Sequence, residues 1–453
     1  MRFAVKEIEL FERDVKLRLP FRFGIVTLTQ APQGFVRARI RLEDGIEAEG
    51  AAAELLAPKW FDKNPALTNE QNFDQLRLAL SLAREAYLAG ELNTAYGHFR
   101  SQYEPQIARG ASRGLNALVA NFGPALLDRA VLDALCRGLG TSFYDAVRNN
   151  LPGISASETQ GFLATLRPRT EIAARHTVGL VDAISSVERR LNDGLPETLE
   201  EVVARYGHRW FKLKVAGDAH ADVERLAAIA SVLDRIPDRY CASLDGNEQY
   251  ADVEGVLELW RQMNAEPRLK RLSASIVFIE QPIKRQNALA ADVSRLSKEK
   301  PVIIDESDDS LDAFPRAKAL GYKGVSSKTC KGIYKSIINA ARCAAWGHEY
   351  FMTGEDLTIQ AGLALQQDLA LVSLLGLAHV ERNGHHYVNG MAGLPAKEQE
   401  DFLKAHPDLY ERSHGAVRVR IENGTLAMKS LDCPGFASAA MPDWNHMKEM
   451  KIR

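Results

Sequence analysis

FKLKV (211–215), CASLDGN (241–247), SIVFIEQP (275–282) and PVIIDES (301–307) each read as a short buried strand that ends in a charged group, and GVSSKTCK (324–331) ends the same way in a lysine. In chain order the charges run Lys-x-Lys, Asp, Glu, Asp, Lys. Amphipathic helices such as TLEEVVARYG, ADVERLAAIASVLDRI and DVEGVLELWRQM alternate with these strands. That is the βα rhythm of a parallel sheet, in which each crossover carries a helix. HTVGLVDAI, after about residue 175, supplies a first strand, and EYFMTGE (349–355) and LAHVER (377–382) bring the count to eight. Eight favours a closed α/β barrel of the TIM, (β/α)8, type over an open sheet.

In such a barrel the C-terminal strand ends converge on one face, where residues read as catalytic rather than structural. Five strand ends then bring three carboxylates and at least two lysines together. Three carboxylate oxygen donors suit a hard divalent cation such as Mg2+, with Mn2+ as a possible substitute. Lys212 and Lys214 share a face by the period of two, and repulsion between neighbouring ammonium groups, added to burial, lowers the pKa of one towards that of a useful base. No GxGxxG or GxxxxGKS follows an early strand, so neither a dinucleotide nor a P-loop reading has support.

Before the barrel, IELFERDVKLRL and GFVRARIRLEDGIEAEG alternate with strand period, EDG marking a hairpin turn, and the text turns helical from Thr68 to Leu139. Residues 1–155 therefore read as an α+β domain, 156–395 as the barrel, and 396–453 as a C-terminal segment. PFRFGIVTLTQAPQG (20–34) reads as a loop long enough to reach another domain, and VRVRIENGTLAMK (417–429), with Asn-Gly as its turn, as a hairpin pairing back onto the amino-terminal sheet.

Of the 453 residues 46% are hydrophobic and 26% charged, as in an ordinary soluble globular protein, and the formal net charge is −2. That balance gives no reason to expect nucleic acid or an anionic membrane as partner. Five cysteines without a CxxC pair suit a reducing compartment, and the charge-interrupted amino terminus lacks the apolar run of a signal peptide. A cytoplasmic location is expected.

Taken together, FKLKVAGD, LDGN, IEQPI, IDES and SSKTCKGI, in that order, resemble the motifs of the enolase superfamily and, within it, the muconate-lactonizing-enzyme subgroup. The likeness extends to PFRFG, similar to the start of the capping-domain loop, to PALLDRAVLDALCRGLG, similar to that domain's last helix, and to the closing segment VRIENGTLAMKSLDCPGF. The resemblance implies an α+β capping domain completed by the C-terminal segment. It also implies Asp245, Glu280 and Asp305 as ligands of Mg2+, Lys214 as a base, Lys212 as its cationic neighbour, and Lys328 as the base on the opposite face of the substrate. The implied activity is removal of the proton α to the carboxylate of a small molecule, with the enolate stabilised on the metal. Two lysines on opposite faces suit an isomerase, either a racemase, an epimerase or a cycloisomerase. The alternatives are a β-elimination lyase such as a dehydratase or an acyl-succinate synthase, a metal-independent Schiff-base aldolase, or a binding protein that has lost catalysis. A homo-oligomer is expected. The chain is longer than the family's usual one, mainly near 60–110 and after 390.

Further candidates surround this set. Glu306, next to Asp305, must point to the other side of the strand, as a partner of the ligands or as a solvated acid. Asn247 faces the side of Asp245, and either reaches metal-bound water or completes the turn. Glu355 and Asp356 bond to Lys328 or to substrate, or serve as acids at a helix start. Arg22 and Phe23 either meet substrate or are ordinary loop residues. Lys331 and Lys335, at helical spacing after Lys328, read as surface charges. His385 and His386 would diverge on a loop and are not expected to share a metal.

Overall fold

The structure is a computed structural model that describes residues 1–452. Three antiparallel strands open the chain: β1 (Phe3–Phe23), β2 (Val26–Leu42) and β3 (Glu47–Leu55). Their alternating apolar residues, Val36, Ala38 and Ile40 among them, face helices α1 (Asn69–Leu88), α2 (Ala95–Ser112) and α3 (Ala117–Gly138). Thr68 starts α1 with a capping box, its hydroxyl accepting from the Gln71 amide at 3.2 Å while Gln71 Oε1 accepts from the Thr68 amide at 2.7 Å. Close packing of α3 on β3 requires Gly50, where a Cβ would lie 2.1 Å from the Ala134 nitrogen.

The stretch 20–34 is not a loop. It is the far end of a hairpin in which β1 and β2 stay paired to the tip, Phe21 with Leu28 and Phe23 with Val26, after an irregularity between Lys16 and Phe21. The turn is Gly24, at φ 49°, and Ile25. Its prolines sit where ladder donors are dispensable, so they do not break the ribbon. The tip is tied to the barrel by the Leu180 amide, which donates to the Arg22 carbonyl at 3.0 Å.

Eight parallel strands follow: β4 (Glu171–Val178), β5 (Trp210–Lys214), β6 (Cys241–Asp245), β7 (Ile276–Glu280), β8 (Val302–Ile304), β9 (Gly324–Ser327), β10 (Phe351–Gly354) and β11 (His379–Arg382). Each pairs with the next, and β11 pairs with β4, from His379 with Ala173 to Arg382 with His176, which closes the barrel. The first strand begins earlier than HTVGLVDAI suggests, and HTV is its end. Arg175, buried among strand ends, hid the beginning by interrupting the apolar pattern.

The C-terminal segment divides its contacts. β12 (Tyr410–Ser413) and β13 (Ala416–Val419) make a hairpin of their own through His414 and Gly415. Asn423 and Gly424 do form a turn, but the strand after it, β14 (Thr425–Ala427), pairs antiparallel with β4 of the barrel and not with the amino-terminal sheet. Contact with that sheet comes later, where β15 (Lys448–Glu449) pairs with Phe11 and Glu12 of β1.

Candidate active site at the barrel mouth

Strand register sets the geometry. Lys214 lies beside Asp245, and Asp245 beside Glu280, on adjacent strands, while Asp305 follows the end of β8 and Lys328 the end of β9. Lys212 Nζ sits among four carboxylates, 3.0 Å from Asp245, 2.9 Å from Glu280, 2.8 Å from Glu355 and 3.1 Å from Glu381. Lys214 Nζ is 2.5 Å from Asp245 Oδ2, and Lys328 Nζ is 2.5 Å from Asp305 Oδ2. The six sequence-predicted residues of the central set are thus brought together, and all are buried.

Electrostatics follow from this crowding. Burial pushes Glu280 well above the ordinary carboxylate range, and the charge of Glu355 adds to the push. Burial acts in the same direction on Asp245, Asp305 and Glu381, yet adjacent lysines outweigh it and hold all three low. Lys212 is held cationic: burial lowers its pKa, but the surrounding carboxylates carry it well above the ordinary lysine range. Repulsion from Lys214 does not decide its state because Asp245 lies between the two ammonium groups. Lys328 is raised in the same way, Asp305 overcoming burial, and its ammonium also stands 4.2 Å from the centre of the Trp60 ring.

The flanking candidates separate into those that join the site and those that do not. Asn247 joins it: its amide donates to Asp245 Oδ1 at 2.7 Å and its Nδ2 to Glu306 Oε1 at 2.8 Å. Glu306 is therefore a buried partner, not a solvated acid, and burial raises its pKa to about 7. Glu355 bonds to Lys212 and Arg175 rather than to Lys328, although its strand, β10, pairs directly with β9. Asp356 accepts from the amides of Ile359 and Asn383 at 3.1 and 2.9 Å and lines the cleft. Phe23 lines the cleft too, together with Phe21, Leu28, Trp60 and Leu357. Arg22 does not; alternation along β1 turns it out to solvent.

Lys331 and Lys335 are not surface charges. A turn at Thr329–Lys331 and the helix after it turn both inward. Lys331 Nζ lies 3.3 Å from Asp305 and 3.2 Å from Asp308, and Lys335 Nζ 3.3 Å from Asp308. Two further residues belong to the site without standing among the sequence candidates: Glu381, whose signal is its strand end in LAHVER, and Gln281 in IEQP. Gln281 Oε1 accepts from the amides of Asp305 at 2.8 Å and Ser307 at 3.1 Å, and so fixes where Asp305 leaves β8. Backbone strain gathers here: Asn247, Glu248 and Gln281 all have positive φ, at 44°, 67° and 32°. His385 and His386 stand apart from the mouth but do not diverge, since both rings lie against that of His176.

The family profile of enolase C-terminal domain-like proteins matches residues 194–437, more than half of the chain. The chain belongs to the enolase superfamily. Its structural neighbours are of the mandelate racemase and muconate lactonizing enzyme kind. They include a 2-chloromuconate cycloisomerase from Rhodococcus opacus, at 18% identity and TM-score 0.63 over 98% of each chain. Another is the L-Ala-D/L-Glu epimerase of Bacillus subtilis, at 16% identity and TM-score 0.60 over 96% of this chain and 99% of that one. An enolase from an alpha-proteobacterium, solved with bound magnesium, shares 14% identity and a TM-score of 0.62 over 98% of each chain. At such identities the likeness is one of fold. No curated protein matches the sequence significantly. Among the described residues of this superfamily member, no helix is long and apolar enough to cross a membrane.

The residues present fit a divalent metal. Asp245, Glu280 and Asp305 are hard oxygen donors on consecutive strand ends, and Glu280 Oε2 is buried with no well-aligned hydrogen bond.

Proposed function

We propose that this protein is a magnesium-dependent isomerase that removes and returns the proton α to the carboxylate of a small molecule. The observation that carries the reading is the pair Lys214 and Lys328. They extend from β5 and β9, the second and sixth barrel strands, into one cleft, each held by a different carboxylate of the proposed metal set. Asp245, Glu280 and Asp305 would hold the dication, which would supply Lewis-acid neutralisation of the charge that develops on the substrate carboxylate.

The chain's own residues do the rest. One lysine, neutral, accepts the α proton, and the lysine on the other face, protonated, returns one to the same carbon. Lys212 keeps its charge beside Glu280, Glu355 and Glu381 and offsets negative charge near the carboxylate end. Phe21, Phe23 and Trp60, brought over the mouth by the cap, exclude water from the reacting carbon. Small carboxylates are the proposed ligands, without nucleic acid or membrane as partner. A cytoplasmic location and a symmetric homo-oligomer are part of the same proposal.

Exchange in heavy water tests it. A panel of chiral carboxylates, including acylated amino acids, dipeptides and hydroxy acids, is incubated with protein and Mg2+, and deuterium at the α carbon is followed. For a true substrate, Lys214→Ala should abolish exchange from one enantiomer and Lys328→Ala from the other. Loss of a small leaving group instead of exchange would assign a lyase. Retained turnover in both variants with indifference to chelator would overturn the reading, and borohydride trapping would then test a Schiff base.

A further inference from the structure

Beyond the mouth, the barrel holds a second buried polar cluster that the proposed reaction does not use. Alternation along β4 places Arg175 and Thr177 towards the barrel interior, where they meet Glu355 and Glu381, and therefore turns His176 to the outer wall. There it meets His208, in the lead-in to β5, and His385 and His386, in the short helix Gly384–Tyr387 that follows β11. Ring centres of His208, His385 and His386 lie 5.3, 5.3 and 5.2 Å from that of His176, and those of His208 and His385 are 5.2 Å apart. All four side chains are buried.

What marks this cluster is the number of ring nitrogens without a partner. His176 Nδ1, His208 Nε2, His386 Nδ1 and both nitrogens of His385 are buried and make no hydrogen bond. A neutral imidazole has one donor and one acceptor to satisfy, and buried polar atoms left alone in such numbers call for an explanation. The arginines nearby do not provide one: Arg18 donates to the main-chain carbonyl of His386 and Arg418 to that of His385, leaving the rings alone. One contact is specific. His208 Nδ1 lies 2.9 Å from the Ala174 carbonyl. A carbonyl can only accept, so Nδ1 carries the hydrogen and the Nε2 lone pair is free, as in histidines that bind metal through one nitrogen and are oriented through the other.

We propose that His176, His208 and His385 form a buried site for a divalent transition metal of the zinc class, which fastens the seam where the barrel closes. One potential ligand atom from each ring lies within 4.8 Å of those of the other two. Nitrogens bound at about 2.0–2.1 Å in a tetrahedron stand roughly 3.3 Å apart, so shifts of about 1 Å in the rings complete the geometry. The fourth position is left to water. An all-imidazole donor set suits zinc, cobalt or nickel and disfavours magnesium, which separates this site chemically from the carboxylate mouth. Burial keeps the rings neutral, the form that binds metal, with His208 pulled down to about 4. The ligands come from β4, from the approach to β5 and from the exit of β11, and β11 to β4 is the pairing that closes the barrel. A metal here therefore joins the first turn of the barrel to the last.

Cobalt reports on the site directly. The full chain, stripped with chelator and given excess Mg2+ to occupy the carboxylates, is titrated with Co2+ and its visible d–d absorption recorded. One equivalent should produce the intense bands of a tetrahedral nitrogen site, Zn2+ should displace them, and Zn2+ should raise the Tm. His208→Gln and His385→Gln should remove the bands, whereas Asp245→Asn, which disables the proposed reaction, should leave them intact. If a histidine variant does not fold, a zinc-edge anomalous map of the unaltered protein decides, with a peak expected between the three rings. No band, a Tm indifferent to Zn2+, a band that survives both histidine substitutions, or an anomalous peak elsewhere would overturn the proposal, leaving buried water as the partner of these nitrogens.

Discussion

At the barrel mouth, buried ionisable groups are answered by opposite charges; on the outer wall of β4, buried imidazoles face one another and, among the described residues, pair with no carboxylate. Lys212, Lys214, Lys328 and Lys331 all reach carboxylates within 3.3 Å. His176, His208 and His385 reach no such partner among the described residues. Desolvation is severe in both places, but it is resolved by pairing in one and by loss of charge in the other. Asp128 of α3 follows the second course inside the cap: among the described residues its side-chain partner is the Tyr87 hydroxyl, which donates at 2.6 Å, and burial raises its pKa to about 8. A paired cluster stays charged and can do electrostatic work on a bound ligand. A neutral one stabilises the fold or awaits a metal.

The largest expected effect is on turnover at the paired cluster. Replacing either Lys214 or Lys328 by alanine should lower the rate for a true substrate on the order of 100- to 10,000-fold, the range for a positioned general base, with little change in the unfolding midpoint in Mg2+. Near-normal kcat in both variants would place the chemistry elsewhere.

Next comes stability at the same cluster. Lys212→Met removes the ammonium shared by four carboxylates, and such uncompensated burial should cost about 3–5 kcal/mol in urea unfolding without divalent metal. Added Mg2+ should restore part of the loss, because a dication answers the same charges. A variant as stable as the parent in chelator would show that these carboxylates are protonated rather than paired.

A smaller, pH-dependent effect probes the neutral class. The folded pKa of Asp128, about 8, lies above its ordinary value of 3.8, so its stabilising contribution is complete below pH 3.8 and is lost as pH rises through about 8. Asp128→Asn stays neutral throughout. The stability difference between parent and variant should therefore shift against the parent between pH 4 and 8, read from urea midpoints at several pH values. Parallel curves would mean that Asp128 is ionised in the folded protein.

The contrast also explains what could be read from the sequence. Charges at the ends of short apolar strands are visible because strand period and barrel topology fix their common destination. Asp245, Glu280, Asp305 and the three lysines were legible for that reason. Lys331 was not, because its spacing after Lys328 suggested a helix surface, whereas a tight turn at Thr329–Lys331 folds it back onto Asp305. The hairpin tip reads as a loop because its prolines and glycine mask a ribbon that stays paired to Phe23 and Val26 and is tied to the barrel at Arg22. The histidine cluster had no local signature at all. Its members come from a strand face, a lead-in and a short helix far apart in the chain, and only closure of β11 on β4 brings them together.

The central claim is that the three strand-end carboxylates hold a divalent metal between two lysine bases. A crystal soaked in Mn2+ tests it without knowledge of the substrate. The account predicts one strong anomalous peak bounded by Asp245, Glu280 and Asp305, with the ammonium groups of Lys214 and Lys328 drawn off these carboxylates towards the cleft. No peak at that position, or one that leaves Lys214 against Asp245 and Lys328 against Asp305, would contradict it.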